Sequence, residues 1–317
     1  MAASQGIKRN KPLLVVLVGP TASSKSDVAL CLARRLKGEI VNCDSMQIYR
    51  GMEIGTAKPT PRMRRQIRHH LLDLIRPSQT MNVERFSRLA RKAIGEVARR
   101  GKVPILVGGS GLYIRAIVEG IFSGAGKDTL LRQRLEARAK KEGSRPLHAE
   151  LRKVDPQAAQ RIHPNDIRRI IRALEVYQKT GQPISLLQKT RRGIGEAYRA
   201  LWIGLMPDRS KLYERIEARV DDMFRRGLVD EVRRLSKKRM GLTARHALGY
   251  AEVLSYLKGD GTLERTVELV KRNQRRYAKR QLSWFRQEKQ IDWLTVSAAE
   301  GAEKVAGRVL SRIKPHA

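Results

Sequence analysis

The 317 residues contain two cysteines, Cys31 and Cys43. That count excludes a disulfide framework and a four-cysteine zinc site. No apolar run approaches the ~20 residues that a membrane-spanning helix needs. The first ten residues, MAASQGIKRN, carry no apolar stretch of the kind a secretory leader requires. These absences point to a cytoplasmic protein. Acidic residues are also scarce, 31 Asp and Glu against 66 Lys and Arg. What is present is ordinary for a folded chain: 41% hydrophobic residues, and a length that suits one large or two modest domains.

The charge imbalance is the first functional signal. A net charge of +35 and a pI of about 11.1 on a folded chain predict an electrostatic footprint for a polyanion, most often nucleic acid. An anionic membrane fits less well, because no segment joins an apolar stripe to a basic face with terminal anchoring. Many of the basic residues need only solvate helix faces.

The N-terminal third alternates strands and helices. PLLVVLV at 12–18, ended by Gly19, reads as a buried parallel strand. A helix follows over 26–36 and a second strand, EIVNC, over 39–43. Leu71, Leu72, Asp73 and Leu74 read as a strand preceded by His69 and His70, whose adjacency places them on opposite faces and argues against joint chelation. Phe86, Leu89, Ala90, Ala93, Ile94 and Val97 recur at helical spacing within 85–100, Gly101 stops that helix, and VPILV at 103–107 is another buried strand. Such alternation means an α/β sheet with ligands at the carboxyl ends of its strands. From about 124 the strand signal fades into densely charged helix formers over 130–141, 146–154 and 165–180. Strand returns at 200–205, amphipathic helices run on to 289, and a last strand lies near Trp293. The expected organisation is a parallel-sheet core over 1–123, a helical insertion over 124–196, and core completion with C-terminal helices over 197–317.

Gly19, Pro20, Thr21, Ala22, Ser23, Ser24, Lys25 and Ser26 follow a strand and open a helix, the context of a phosphate-binding P-loop. The helix start offers unpaired N–H groups and positive potential, Lys25 adds a cation, and Ser26 is placed to ligate Mg2+. The bland alternative, a Ser-capped strand–turn–helix, requires strand, Gly, Lys-Ser and helix to coincide by chance. The usual pattern has glycine at Ser24, so its Cβ threatens close backbone approach to phosphate. Asp44 comes directly off the second strand and should face the P-loop, as a proton acceptor or as the holder of a metal-bound water. A capping aspartate remains an equally open reading. GGSGLY at 108–113 ends its strand at the same edge.

GPTASSKS, DSMQIYRGMEIGTAKP, HHLLD, GGSGLY, NDIRRIIRALEVYQKTG, RVDDMFRRGLVDEV, ALGYAE and RRYAKRQLSWFR occur in the order found in tRNA dimethylallyltransferases, also called tRNA isopentenyltransferases. The chain resembles that family from about residue 14 to 293. The resemblance implies a P-loop NTPase-like α/β core with a parallel sheet, a helical insertion domain and a helical C-terminal region. It also implies transfer of a dimethylallyl group from dimethylallyl diphosphate to N6 of the adenine 3′ of the anticodon, with the P-loop holding diphosphate and Mg2+ rather than ATP. Asp44 matches the family's general base, Thr21 a P-loop threonine that helps place the reacting groups, and Arg219 an arginine at the diphosphate and target nucleotide. On residues alone, a solvated helix charge is the more common reading for an isolated arginine such as Arg219. Family segments contacting RNA map onto Asp44, Ser45, Met46 and Gln47, onto Arg168, Arg169, Ile170, Ile171 and Arg172, and onto His246, Ala247, Leu248, Gly249, Tyr250 and Ala251, with single contacts at Ser110 and Arg132. The helical insertion would grip the tRNA anticodon stem-loop, and the enzyme would act as a monomer. Departures from the family pattern are Ser24 for glycine, Ser110 for threonine, Glu53 for aspartate, Ala251 for a basic residue, and His246 for Gln or Arg.

Near the C-terminus Lys271, Arg272, Arg275, Arg276, Lys279 and Arg280 form a basic side, while Tyr277, Gln281 and Trp284 recur at helical spacing. The aromatics are expected in the core. Three other functions compete. An adenylate isopentenyltransferase has no need of +35 or a basic insertion. A small-molecule P-loop kinase is opposed by DSMQIYRGMEIGTAKP. A decayed RNA-binding protein is opposed by the joint retention of Thr21, Lys25, Ser26 and Asp44.

Overall fold

The computed structural model describes residues 11–122, 126–297 and 299–313. The N-terminal ten residues read for a leader, and the expected boundary at 123/124, lie outside them. The chain opens with β1 (Leu13–Val18), α1 (Lys25–Arg35), β2 (Glu39–Cys43), α2 (Pro61–Gln66), β3 (His69–His70), α3 (Val83–Arg99), β4 (Pro104–Gly108) and α4 (Gly111–Val118). Helices α5 (Thr129–Glu142), α6 (Arg145–Val154), α7 (Pro156–Arg161), α8 (Ile167–Thr180) and α9 (Ile184–Leu187) follow. Next come β5 (Arg199–Pro207), α10 (Arg209–Arg225), α11 (Leu228–Ser236), α12 (Leu242–Arg245) and α13 (Tyr250–Tyr256). Last are α14 (Leu263–Phe285), β6 (Asp292–Val296) and α15 (Ala302–Ile313). Two compact units result, Met1–Val118 with Ile194–Ala317, and Glu119–Gly193.

In the larger unit six strands form one sheet in the order β3-β2-β4-β1-β5-β6, every pair parallel. Val15 of β1 lies opposite Ile105 of β4 and Leu201 of β5. The continuous apolar runs of β1 and β4 fit strands covered on both faces. Alternate side chains feed two cores. Leu14, Val16 and Val18 join Val41, Cys43 and Leu106 beneath Phe86, Ala90 and Ile94 of α3. Val15 and Leu17 join Ile40, Ile105 and Val107 beneath α1 and α15, through Val28, Leu32, Val305 and Val309. All strands point one way, so their carboxyl ends share one edge, where open α/β sheets bind ligands.

The expected strand over 71–74 is not present. The strand is His69–His70 itself, paired with Ile40 and Val41. After it Leu71 and Asp73 take left-handed backbone, φ 66° and 55°, which no ladder accommodates. Three cations hold that turn: Lys58 Nζ donates to Asp73 Oδ1 at 2.6 Å, Arg64 to Asp73 Oδ2 at 2.8 Å and Arg50 Nε to the Asp73 carbonyl at 2.8 Å.

The smaller unit has no strand among its described residues. Leu135, Leu147, Leu151, Ile170, Leu174 and Val176 are core residues there. Buried Asp155 accepts from the Ala158 and Ser185 N–H groups at 2.9 and 2.8 Å, tying two helix starts together. Fully buried Glu175 accepts from Arg132, Arg172 and the Asp128 N–H. Burial pushes its carboxyl up, but Arg132, that N–H and Arg172 outweigh burial and bring it to about 2.

Candidate active site at the strand ends

The loop between β1 and α1 is shaped to receive an anion. Ala22 and Ser24 both take left-handed backbone, φ 60° and 59°, and residues alternating in this way turn successive N–H groups toward one concavity. Helix α1 begins at Lys25 with no side-chain cap from Ser24, so its first N–H groups and positive dipole end stay available. Lys25 Nζ donates to the Pro20 carbonyl at 2.9 Å. Gln281, from α14, anchors the loop from the other side: its Oε1 accepts from Thr21 N–H at 2.8 Å and its Nε2 donates to the Gly109 carbonyl at 3.0 Å. A Cβ at Gly109 would stand 2.1 Å from that Nε2, so only glycine leaves room for the bridge.

A cavity of about 340 Å³ opens on this loop. Thr21, Lys25 and Ser26 form one side, and Asn42, Asp44, Val107 and Gly108 the ends of β2 and β4. Arg219 and Met223 of α10 and Gln274, Tyr277 and Arg280 of α14 complete the walls, with Thr56 and Ala57 opposite. Arg219 donates to Thr21 Oγ1 at 3.1 Å, so it is a cavity residue and not a solvated helix charge. Asp44 Oδ1 accepts from Met46 and Gln47 N–H at 2.8 and 3.3 Å. It therefore caps a turn and also lines the cavity. Its Oδ2 takes no hydrogen bond among the described residues.

The electrostatics suit an anionic ligand. Burial, with Arg219 beside it, lowers Lys25 to about 8, opposed by Asp44. Burial likewise lowers Arg219, opposed by Asp44 and Asp27. Two cations held against their desolvation cost create a site that an incoming anion relieves.

Tyr277, expected in the core, lines this cavity instead. Burial and the nearby Asp44 charge raise its phenol well above the usual range. Trp284 does pack inward, edge-on to Phe285 and under the Arg115 guanidinium. Gln274 and Glu231 escaped the sequence reading, and Gln281 enters it only by its helical spacing, with no role at the site. Buried Glu231 accepts from the N–H groups of Glu53, Ile54 and Gly55 at 3.0, 2.9 and 3.3 Å and from the Tyr250 hydroxyl at 2.5 Å. That carboxylate holds the loop carrying Thr56 and Ala57. Gln47 Nε2 reinforces it by donating to both their carbonyls.

The sequence profile described as IPP transferase matches residues 47–288. The chain is 47% identical over 302 residues to the tRNA dimethylallyltransferase of Carboxydothermus hydrogenoformans, covering 94% of this chain and 96% of that one. The chain belongs to the IPP transferase family. Its fold matches the crystal structure of the full-length tRNA isopentenylpyrophosphate transferase from Bacillus halodurans, with TM-score 0.71, 40% identity, and coverage of 96% and 98% of the two chains. It also matches a eukaryotic dimethylallyltransferase acting on tRNA, with TM-score 0.76, 27% identity, and coverage of 96% and 80%.

In this IPP transferase the residues expected at RNA fall into distinct settings. Asp44, Ser45, Met46, Gln47, His246, Ala247 and Leu248 line the cavity, and Ser110 Oγ accepts from Ser45 N–H at 3.3 Å. Tyr250 is fully buried with its hydroxyl on Glu231, so its side chain does not reach an external ligand. A Cβ at Gly55 would stand 2.4 Å from the Tyr250 ring, which shows how closely that loop rests on it. In the helical unit Ile170 and Ile171 are core, which removes their side chains as contacts. Arg168 and Arg169 are exposed there, Arg169 paired with Asp166 at 3.2 Å. Arg132 and Arg172 are the half-buried partners of Glu175.

Proposed function

We propose that this enzyme transfers the dimethylallyl group of dimethylallyl diphosphate to N6 of the adenine 3′ of the anticodon in tRNA, releasing diphosphate. The observation that carries the reading is the single cavity onto which the P-loop, Arg219 and Asp44 all open. In the reaction the allylic C1–O bond breaks and its electron pair leaves with the diphosphate. N6 of adenine forms the new bond to C1 and gives up a proton. The difficulty lies in the charge that gathers on the departing diphosphate. Lys25, Arg219 and the N–H groups of the loop stabilise that charge, and Thr21, held by Arg219, positions the reacting groups. Asp44, its Oδ1 fixed by two backbone N–H groups, keeps Oδ2 for the N6 proton.

The site suits Mg2+. Ser26 supplies a hard hydroxyl oxygen at the cavity, and Mg2+ ordinarily takes one or two protein oxygens with substrate phosphates and water. No group of three or more His, Cys, Asp or Glu forms an all-protein cage among the described residues. When bound, the ion neutralises charge on the diphosphate. The +35 charge and exposed Arg168 and Arg169 support tRNA as the second substrate, with the helical unit on the anticodon stem-loop. No helix among the described residues is long and apolar enough to cross a membrane. The reading carries with it a cytoplasmic monomer.

The test uses an unmodified tRNA anticodon stem-loop, dimethylallyl diphosphate and Mg2+, followed by nuclease digestion and mass spectrometry. The expected result is one added C5H8 on the adenosine 3′ of the anticodon, absent with Asp44→Ala although that variant still binds the RNA. Addition at any other nucleoside, or unchanged turnover in Asp44→Ala, overturns it.

A further inference from the structure

Asn42 sits on β2, two residues before Asp44, and no part of the mechanism above employs it. Its side chain is 7% exposed and lines the same cavity. Its Nδ2 is buried without a hydrogen-bond partner among the described residues. A buried amide N–H left unpaired is costly, and native chains retain few of them without a reason. Strand alternation fixes which side of the sheet Asn42 serves. Val41 and Cys43 belong to the core beneath α3, whereas Ile40 and Val107, the register partner of Asn42 in β4, belong to the core beneath α1. Asn42 therefore stands on the α1 side of β2, toward the helix whose first residues are Lys25 and Ser26. The cavity wall on that side is cationic and donor-rich, so a ligand group with acceptor oxygens satisfies the orphan.

We infer that Asn42 is a further diphosphate-binding residue, its Nδ2 donating to a phosphoryl oxygen of the prenyl diphosphate opposite Lys25. The inference rests on the diphosphate reading of the P-loop and adds a neutral donor from the sheet to the cations of α1 and α10. A donor carried by a paired sheet strand meets the leaving group from the sheet side, which neither α1 nor α10 supplies. The adenine ring is the competing acceptor, and an effect confined to tRNA would assign Asn42 to it.

The test compares wild type with Asn42→Leu, which has the same branching at Cγ but no donor, and Asn42→Asp, which keeps the shape and replaces the donor with an acceptor. Inorganic pyrophosphate with Mg2+ is the probe, titrated by calorimetry, alongside ligand-free melting and steady-state KM values. Removing an orphan donor leaves the ligand-free melting of Asn42→Leu unchanged or raised. Pyrophosphate binding weakens roughly tenfold or more in Asn42→Leu and further in Asn42→Asp, as for a hydrogen bond to a charged acceptor. The KM for tRNA stays within twofold. Pyrophosphate affinity within twofold of wild type in both variants overturns the inference, and so does a loss seen only in the KM for tRNA. Failure of the wild type itself to bind pyrophosphate overturns the diphosphate reading and this inference with it.

Discussion

Ser24 is the departure from the usual P-loop pattern that most directly threatens catalysis, and its geometry makes the threat measurable. The residue holds φ 59° and ψ 15°, a conformation that costs an L-residue about 1–2 kcal/mol and glycine almost nothing. Replacing it with glycine removes that strain, while the looser unfolded chain takes back about 0.5–1 kcal/mol. The hydroxyl makes no cap bond, so little else is lost. Ser24→Gly should therefore stabilise the enzyme by about 0.5–1 kcal/mol, a rise of about 1–1.5 °C in melting temperature for a chain of this size. Ser24→Val, β-branched in the same left-handed position, should fall by at least about 1 kcal/mol. Thermal melting with and without pyrophosphate reads both effects. Because serine already adopts the conformation that glycine would, pyrophosphate affinity should be equal or slightly better in Ser24→Gly. A Ser24→Gly enzyme that melts clearly below wild type, or loses more than about threefold in pyrophosphate affinity, would refute the reasoning and give the hydroxyl a role of its own.

Removing the guanidinium in Arg219→Gln should lower kcat about 10²-fold, the usual cost of one donor to a developing anion; single-turnover kinetics with saturating dimethylallyl diphosphate would check it, and an unchanged rate would return Arg219 to a structural role. The Lys25 ammonium titrates at about 8, lowered from 10.5, so its charge is complete below that pH and lost above it. Pyrophosphate affinity should accordingly decline as pH rises beyond 8, and a flat profile to pH 10 would contradict a direct contact. Arg168→Ala, at an exposed position, should weaken tRNA binding and reduce the magnitude of the salt slope by about 1, read from log Kd against log salt. An unchanged slope would remove the phosphate contact.

The parallel sheet was legible because β1 and β4 are unbroken apolar runs ended by glycine, and burial on both faces leaves little else for such runs to be. The P-loop was legible because its parts are contiguous. What failed was anything depending on distant residues. Leu71 to Leu74 look like a strand until Lys58 and Arg50 are seen drawing Asp73 into a turn. Helical spacing placed Tyr277 with Gln281 and Trp284 on one side of α14, but spacing does not distinguish a core from a cavity. Gln281 reaches Thr21 across 260 residues, and Arg219 reaches it across 198. Glu231 lies in a run of charged residues where a surface acid is the usual reading, and its burial follows only from the loop N–H groups it receives. Ile170, Ile171 and Tyr250 sit inside segments matched to RNA contacts, yet their side chains serve the interior.

The most direct test offers labelled dimethylallyl diphosphate and Mg2+ to the enzyme with unmodified tRNA or with AMP. Label entering tRNA alone is the result expected of a P-loop that holds diphosphate beside Asp44 in so basic a chain. Label entering AMP instead, or entering neither while tRNA remains bound, would contradict it.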